Sequence, residues 1–223
     1  MLRFPVVLAA ALVVAGCSTH AAGPGPAPSS PSATGGPATR TVDVVAVDAG
    51  GRPVNGYHEI TGGGAVPDQA DCTEPSPAAV GKNSYRCWPA YYAADVCWPA
   101  SGRDLLCLND PWAKELHRIR SRAPLAPVNP PALPTPMALL LDDGTHCRAR
   151  NGGAWGHRSD DLQAFYGCGD RPGLTVLAPP DTYPIDRSLP VWTVKVGPDQ
   201  APEPSSPAPV STHRVQTAWF AGD

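Results

Sequence analysis

Six cysteines stand at 72, 87, 97, 107, 147 and 168, in a stretch where proline recurs every few residues, and this pairing of staples with chain breakers constrains the fold most. Of the chain's 29 prolines, 23 lie from residue 41 onward. Proline donates no amide hydrogen bond and holds φ near −65°, so it is confined to edges, bulges and turns. A sandwich of long regular strands is therefore excluded, and short strands joined by irregular loops are expected. Six cysteines permit fifteen pairings. Loop closure favours neighbours, Cys72 with Cys87, Cys97 with Cys107, and Cys147 with Cys168, each bridge contributing about 2–4 kcal/mol. Bridges require an oxidising compartment, whereas in a reducing one the same thiols would suggest metal or redox chemistry. No C-x-x-C pair is present to suggest a structural zinc site, and no metal or cofactor is expected.

The amino terminus addresses the compartment. Met1–Arg3 carries one positive charge and Phe4–Val14 is an apolar run of eleven residues. That is the length of a signal-peptide hydrophobic region and too short to span about 30 Å of hydrocarbon. Val14-Ala15-Gly16-Cys17 follows and resembles the bacterial lipobox, an aliphatic residue and two small residues before a cysteine. The resemblance implies that residues 1–16 are a lipoprotein signal peptide and that the Cys17 sulfur carries a diacylglycerol, a lasting anchor once two or three acyl chains are present. Residues 17–40, rich in Ala, Gly, Pro, Ser and Thr, read as a disordered tether, reaching at most roughly 70 Å at about 3.1 Å per residue. The expected address is the cell membrane, lipid-anchored on its extracytoplasmic side, with the membrane itself as first partner. A net charge of −3 offers no basic face to phosphates, so nucleic acid is not an expected partner.

Residues 41–223 read as one mainly β domain, with a small α+β fold as the variant. It is a disulfide-stapled, antiparallel, β-rich head with long irregular loops. Thr41–Val47 is a β-branched first strand, and Arg52–Pro77 reads as loop. Strands are expected at Ser84–Trp88, Asp95–Trp98 and Asp104–Leu108, with Ser101-Gly102 turning the last hairpin. The motif Cys87-Trp88-Pro89-Ala90 recurs as Cys97-Trp98-Pro99-Ala100, too short for a repeat architecture. Asn109-Asp110-Pro111 resembles a helix start, which predicts a short helix over Trp112–Arg120. Pro-rich 123–136 divides the head into candidate subdomains 41–122 and 137–223, as a connector or as a loop laid across the surface. Beyond it, Met137–Leu141 and Thr145–Arg150 flank the turn Asp142-Asp143-Gly144 as the clearest hairpin. Gln163–Cys168, Leu174–Ala178, Val191–Val196 and His213–Phe220 supply further strands. In the last, Val215, Thr217 and Trp219 are expected to share one face. Gly197–Pro209 reads as a mobile loop.

No H-E-x-x-H, G-x-S-x-G or EF-hand pattern is present. His146 or His157 with Asp160 or Asp161 and Ser159 could assemble a hydrolase triad, but any soluble domain offers such a set, so no catalytic residue is assigned. Two basic clusters occur, Lys114, His117, Arg118, Arg120 and Arg122, and then His146, Arg148, Arg150, His157 and Arg158. Strand alternation places His146, Arg148 and Arg150 opposite Cys147 and Ala149. With Trp155 and His157 these residues form a candidate ligand face for an anionic envelope component, although a solvated face balanced by Asp142, Asp143, Asp160 and Asp161 is the simpler reading. Trp88, Tyr91, Tyr92, Trp98 and Trp155 could stack on sugar rings, although core packing explains them as well and is the commoner role of such residues.

The segments Asp-Val-Cys-Trp at 95–98, Leu-Leu-Cys-Leu-Asn-Asp-Pro-Trp at 105–112, Asp-Gly-Thr-His-Cys at 143–147 and Gly-Gly-Ala-Trp-Gly at 152–156 resemble uncharacterised actinobacterial, especially mycobacterial, exported lipoproteins. The resemblance transfers no catalytic residue. The expected function is a non-catalytic binding or envelope-maintenance module, partnered by cell-wall glycan or an envelope protein. The alternative is an envelope hydrolase or transferase with a site near His146 and His157.

Overall fold

A computed structural model describes residues 36–60, 70–88, 94–108, 110–150, 158–169, 173–199 and 208–223. The signal, Cys17 and most of the tether therefore lie outside the described residues, as do His157, Trp155, Tyr91 and Tyr92. Residues 36–223 form one compact unit. Among the described residues every regular element is a strand, and the strands make two sheets.

The first sheet is an antiparallel barrel of six strands, β8 (Ala138–Leu141), β9 (His146–Ala149), β10 (Gln163–Cys168), β11 (Leu174–Ala178), β12 (Thr193–Pro198) and β13 (Ser211–Ala221). Pairing of β13 with β8 closes it. Along one side of β13, β12 pairs with Ser211–Arg214, and β1 (Arg40–Val44) takes over in parallel from Thr217 to Ala221. The interior is filled by Leu139, Leu141, Tyr166, Val176, Val194, Val196, Val215 and Phe220 around the Cys147–Cys168 disulfide.

The second sheet runs β2 (His58–Glu59), β7 (Glu115–Arg120), β6 (Asp104–Leu108), β5 (Cys97–Pro99), β4 (Tyr85–Trp88) and β3 (Asp71–Pro75). Every residue of β6 is buried because both faces of this sheet are covered. Leu106 and Leu108 point into a core shared with Met137, Ala138, Trp219 and Ala221 on the outside of the barrel. Leu105 and Cys107 point the other way, into a core that Leu125 and Val128 of the Pro-rich segment cover. That segment is laid across the sheet, with Tyr85 Oη donating to the Ala126 carbonyl at 2.9 Å and Asn83 N to the Val128 carbonyl at 3.1 Å.

The three disulfides join the expected neighbours, Cys72–Cys87, Cys97–Cys107 and Cys147–Cys168. Cys97 faces Cys107, and Cys147 faces Cys168, across adjacent strands, so local hairpin geometry brings each pair together.

Three expectations are corrected. Trp112–Arg120 is not a helix. Asp110 Oδ1 accepts the amides of Trp112 and Ala113, Lys114 takes a left-handed φ of 57°, and the chain then enters β7. Leu116 and Ile119, three apart, suggest a helical stripe, but in a strand an odd spacing puts them on opposite faces, one in each core. Arg52–Pro77 is not all loop, since it holds β2 and β3, strands whose exposed polar residues disguise them. In β13 the register slips between Val215 and Thr217, a bulge at Gln216. Val215, Ala218 and Phe220 therefore face the barrel interior, and Trp219 turns outward.

Candidate functional site

The bulge at Gln216 creates the most distinctive surface feature. With Trp219 outside the barrel, its indole meets His146, whose ring points away from the interior because Cys147 next to it is committed to the disulfide. Trp112 joins them from the turn that Asp110 pins before β7. The ring centroids are 4.5 Å apart for Trp112 and His146, 6.0 Å for Trp112 and Trp219, and 6.3 Å for His146 and Trp219. Trp112 remains 40% exposed and His146 is exposed, so the cluster is an apolar ring surface open to solvent and contributed by both sheets.

The expected cationic face is assembled only in part. Arg148 shares the outer face of β9 with His146, but burial draws its guanidinium pKa down, and the negative charges of Asp95 and Asp110 oppose that by holding its proton. Its charge therefore interacts with Asp95, before β5, and with Asp110, between β6 and β7. Arg150 is 3.4 Å from Asp199. Arg158 is not a solvated cation at all, since its side chain is fully buried against Asp160 and the Pro198 and Ala208 carbonyls. Trp155 and His157 lie outside the described residues.

The other basic cluster is similarly occupied. Arg118 grips Glu59 with two 2.7 Å bonds and reaches Asp104 at 3.4 Å, Arg120 holds Asp104 at 2.7 Å, and Arg122 pairs with Asp71. The hydrogen bond from Arg120 is the main reason that the Asp104 carboxyl lies below the ordinary carboxylate range. Lys114 Nζ bonds the Asn55 carbonyl and lies 5.7 Å from the Tyr57 ring centre.

Between the sheets lies a cavity of about 290 Å³, lined by Arg86, Asp95, Thr135, Arg150, Tyr166 and Tyr183 among others. It is at the small end for a ligand pocket. Of the residues considered for a hydrolase, Asp160 receives both Nε and a terminal nitrogen of Arg158, and His157 lies outside the described residues. Sequence reasoning missed Trp112, placed in the expected helix, and Trp219, placed on one face with Val215 and Thr217. It also missed His213, which the fold brings to Asp142 from 71 residues away. No family model, curated protein or solved structure matches the chain.

Proposed function

We propose that the chain is a lipid-anchored cell-envelope protein, held on the extracytoplasmic side of the membrane through Cys17. Its head is a non-catalytic binding module that meets cell-wall glycan on Trp112, His146 and Trp219. The observation that carries this reading is the solvent-open ring cluster itself. Indole and imidazole faces suit the C–H-rich faces of pyranose rings, and a solvent-open cluster of such rings is the kind of surface that takes a partner. The pairing of all six head cysteines supports an oxidising compartment. Lipidation rests on Val14-Ala15-Gly16-Cys17. An enzyme centred on His146 is less well supported, because that ring packs on indoles and makes no hydrogen bond to a hydroxyl or carboxylate among the described residues.

Co-sedimentation of the full chain with purified cell-wall sacculi tests the binding. The Trp112→Ala variant should bind about tenfold more weakly, the equivalent of about 1.4 kcal/mol of ring stacking. Unchanged sedimentation overturns the assignment of this surface. Metabolic acyl labelling should mark the wild type and not Cys17→Ala, and label persisting in that variant overturns the anchor.

A further inference from the structure

Away from the ring cluster, the β8–β9 turn meets β13 and three side chains converge. Nδ1 of His213 lies 3.1 Å from Oδ1 of Asp142 and 3.8 Å from Oδ2 of Asp143, and one donor atom from each residue lies within 4.8 Å of the others. The remaining polar atom of every member is anchored to a group outside the trio. Oδ2 of Asp142 accepts Nε of Arg214 at 3.2 Å, Oδ1 of Asp143 accepts the Thr145 amide at 2.9 Å, and Nε2 of His213 lies 2.9 Å from Ser211 Oγ. The Asp142 amide also donates to the Arg214 carbonyl at 2.9 Å, which fastens the turn to β13.

Ser211, His213 and Asp142 stand in the order of a nucleophile, base and orienting acid. The hydroxyl hydrogen argues against that role. A relay needs Ser211 to donate to Nε2, yet Ser211 Oγ donates to the Val196 carbonyl at 3.3 Å. A hydroxyl has one hydrogen, so with that hydrogen on the Val196 carbonyl Ser211 Oγ is left to accept from Nε2. A proton on Nδ1 would serve Asp142, but 3.8 Å is too long for it to serve Asp143 as well.

A metal ion serves all three. Ligand bonds of about 2.0–2.2 Å place neighbouring donors about 3.0–3.5 Å apart; the observed 3.1 Å fits that spacing, and the 3.8 Å contact closes to it by a small movement of the exposed Asp143 side chain. One imidazole nitrogen with two carboxylate oxygens suits a zinc-class transition ion better than calcium or magnesium, which prefer oxygen alone. An Nε2–H held by a second-shell oxygen is the usual support for a metal-bound histidine.

We propose that Asp142, Asp143 and His213 bind a divalent transition-metal ion of the zinc class, with Ser211, Arg214 and Thr145 as positioning groups. The side chains are 21% (His213), 27% (Asp142) and 48% (Asp143) exposed, so the remaining coordination positions open to water.

The test is equilibrium dialysis of the full chain, without a polyhistidine tag, against Zn²⁺ and separately Ca²⁺, with metal counted by mass spectrometry. One Zn²⁺ per chain is expected, and no saturable Ca²⁺. His213→Gln and Asp143→Ala should each weaken Zn²⁺ binding more than tenfold, Ser211→Ala about tenfold, and His146→Gln not at all. Asp143 is exposed enough that its variant keeps the fold, which an unchanged melting temperature verifies. Absence of saturable Zn²⁺ binding, or equal binding by Asp143→Ala and wild type, overturns the proposal. So does covalent capture of Ser211 by a fluorophosphonate that His213→Gln abolishes, which makes the serine a nucleophile instead.

Discussion

Replacing Arg158 by alanine should cost more stability than any other single change to a charged residue. The guanidinium is fully buried, with Nε and a terminal nitrogen on Asp160 at 2.9 and 2.7 Å, the other terminal nitrogen on the Pro198 carbonyl at 2.7 Å, and a bond to the Ala208 carbonyl at 2.8 Å. Removing it leaves two main-chain acceptors unsatisfied, at about 1–3 kcal/mol each. Asp160 is 25% exposed and recovers part of its loss in water. The expected total is about 3–5 kcal/mol, the range for breaking a buried pair from one side. Against the roughly 5–15 kcal/mol total stability of a typical domain this is a third or more, and it lowers the melting temperature by about 8–16 °C for 4 kcal/mol.

Urea unfolding followed by near-ultraviolet circular dichroism, with disulfides intact, measures the loss. Arg158→Lys keeps the charge but not the fork, and should lose about half as much. A loss below about 1 kcal/mol would refute the reasoning and return Arg158 to the role of a solvated cation.

Removing the barrel staple with Cys147→Ala and Cys168→Ala, which closes a loop of sequence separation 21, should cost about 3 kcal/mol in the same assay, and an effect near zero would show that barrel packing alone holds β9 to β10. Asp104 has its pKa lowered, first by Arg120, so its contribution is full above the ordinary aspartate range and is lost as pH falls through the lower folded value. Stability measured from pH 6 down to pH 2 should accordingly fall more steeply below about pH 4 in wild type than in Asp104→Asn, and identical acid limbs would refute the pairing. Trp98 is buried at the junction of the sheets and donates Nε1 to the Gly222 carbonyl at 2.8 Å. Trp98→Ala should cost about 3–5 kcal/mol, against roughly 1–3 kcal/mol for Trp98→Phe, which loses that bond and part of the indole volume, and equal costs would refute the role given to packing.

What could be read from the sequence was what local chain geometry decides. β6, β10 and β11 occupy the expected residues, and the disulfides pair as loop closure favours, because adjacent antiparallel strands deliver their cysteines to one another. One failure comes from the two-sided burial of the second sheet. Leu116 and Ile119 serve separate cores, so the apolar pattern of β7 has neither strand alternation nor a single face, and its three-residue spacing imitates a helix. The bulge at Gln216 is invisible in composition, yet it decides whether Trp219 fills the barrel or joins His146 and Trp112. His213 reaches Asp142 only because β13 closes the barrel against β8. Neither candidate site could therefore be read from residue types alone. The ring cluster depends on one slipped register, and the Asp142–Asp143–His213 trio on barrel closure. Both are long-range properties of β13, so substitutions along that strand should disturb the two sites together even where they touch neither.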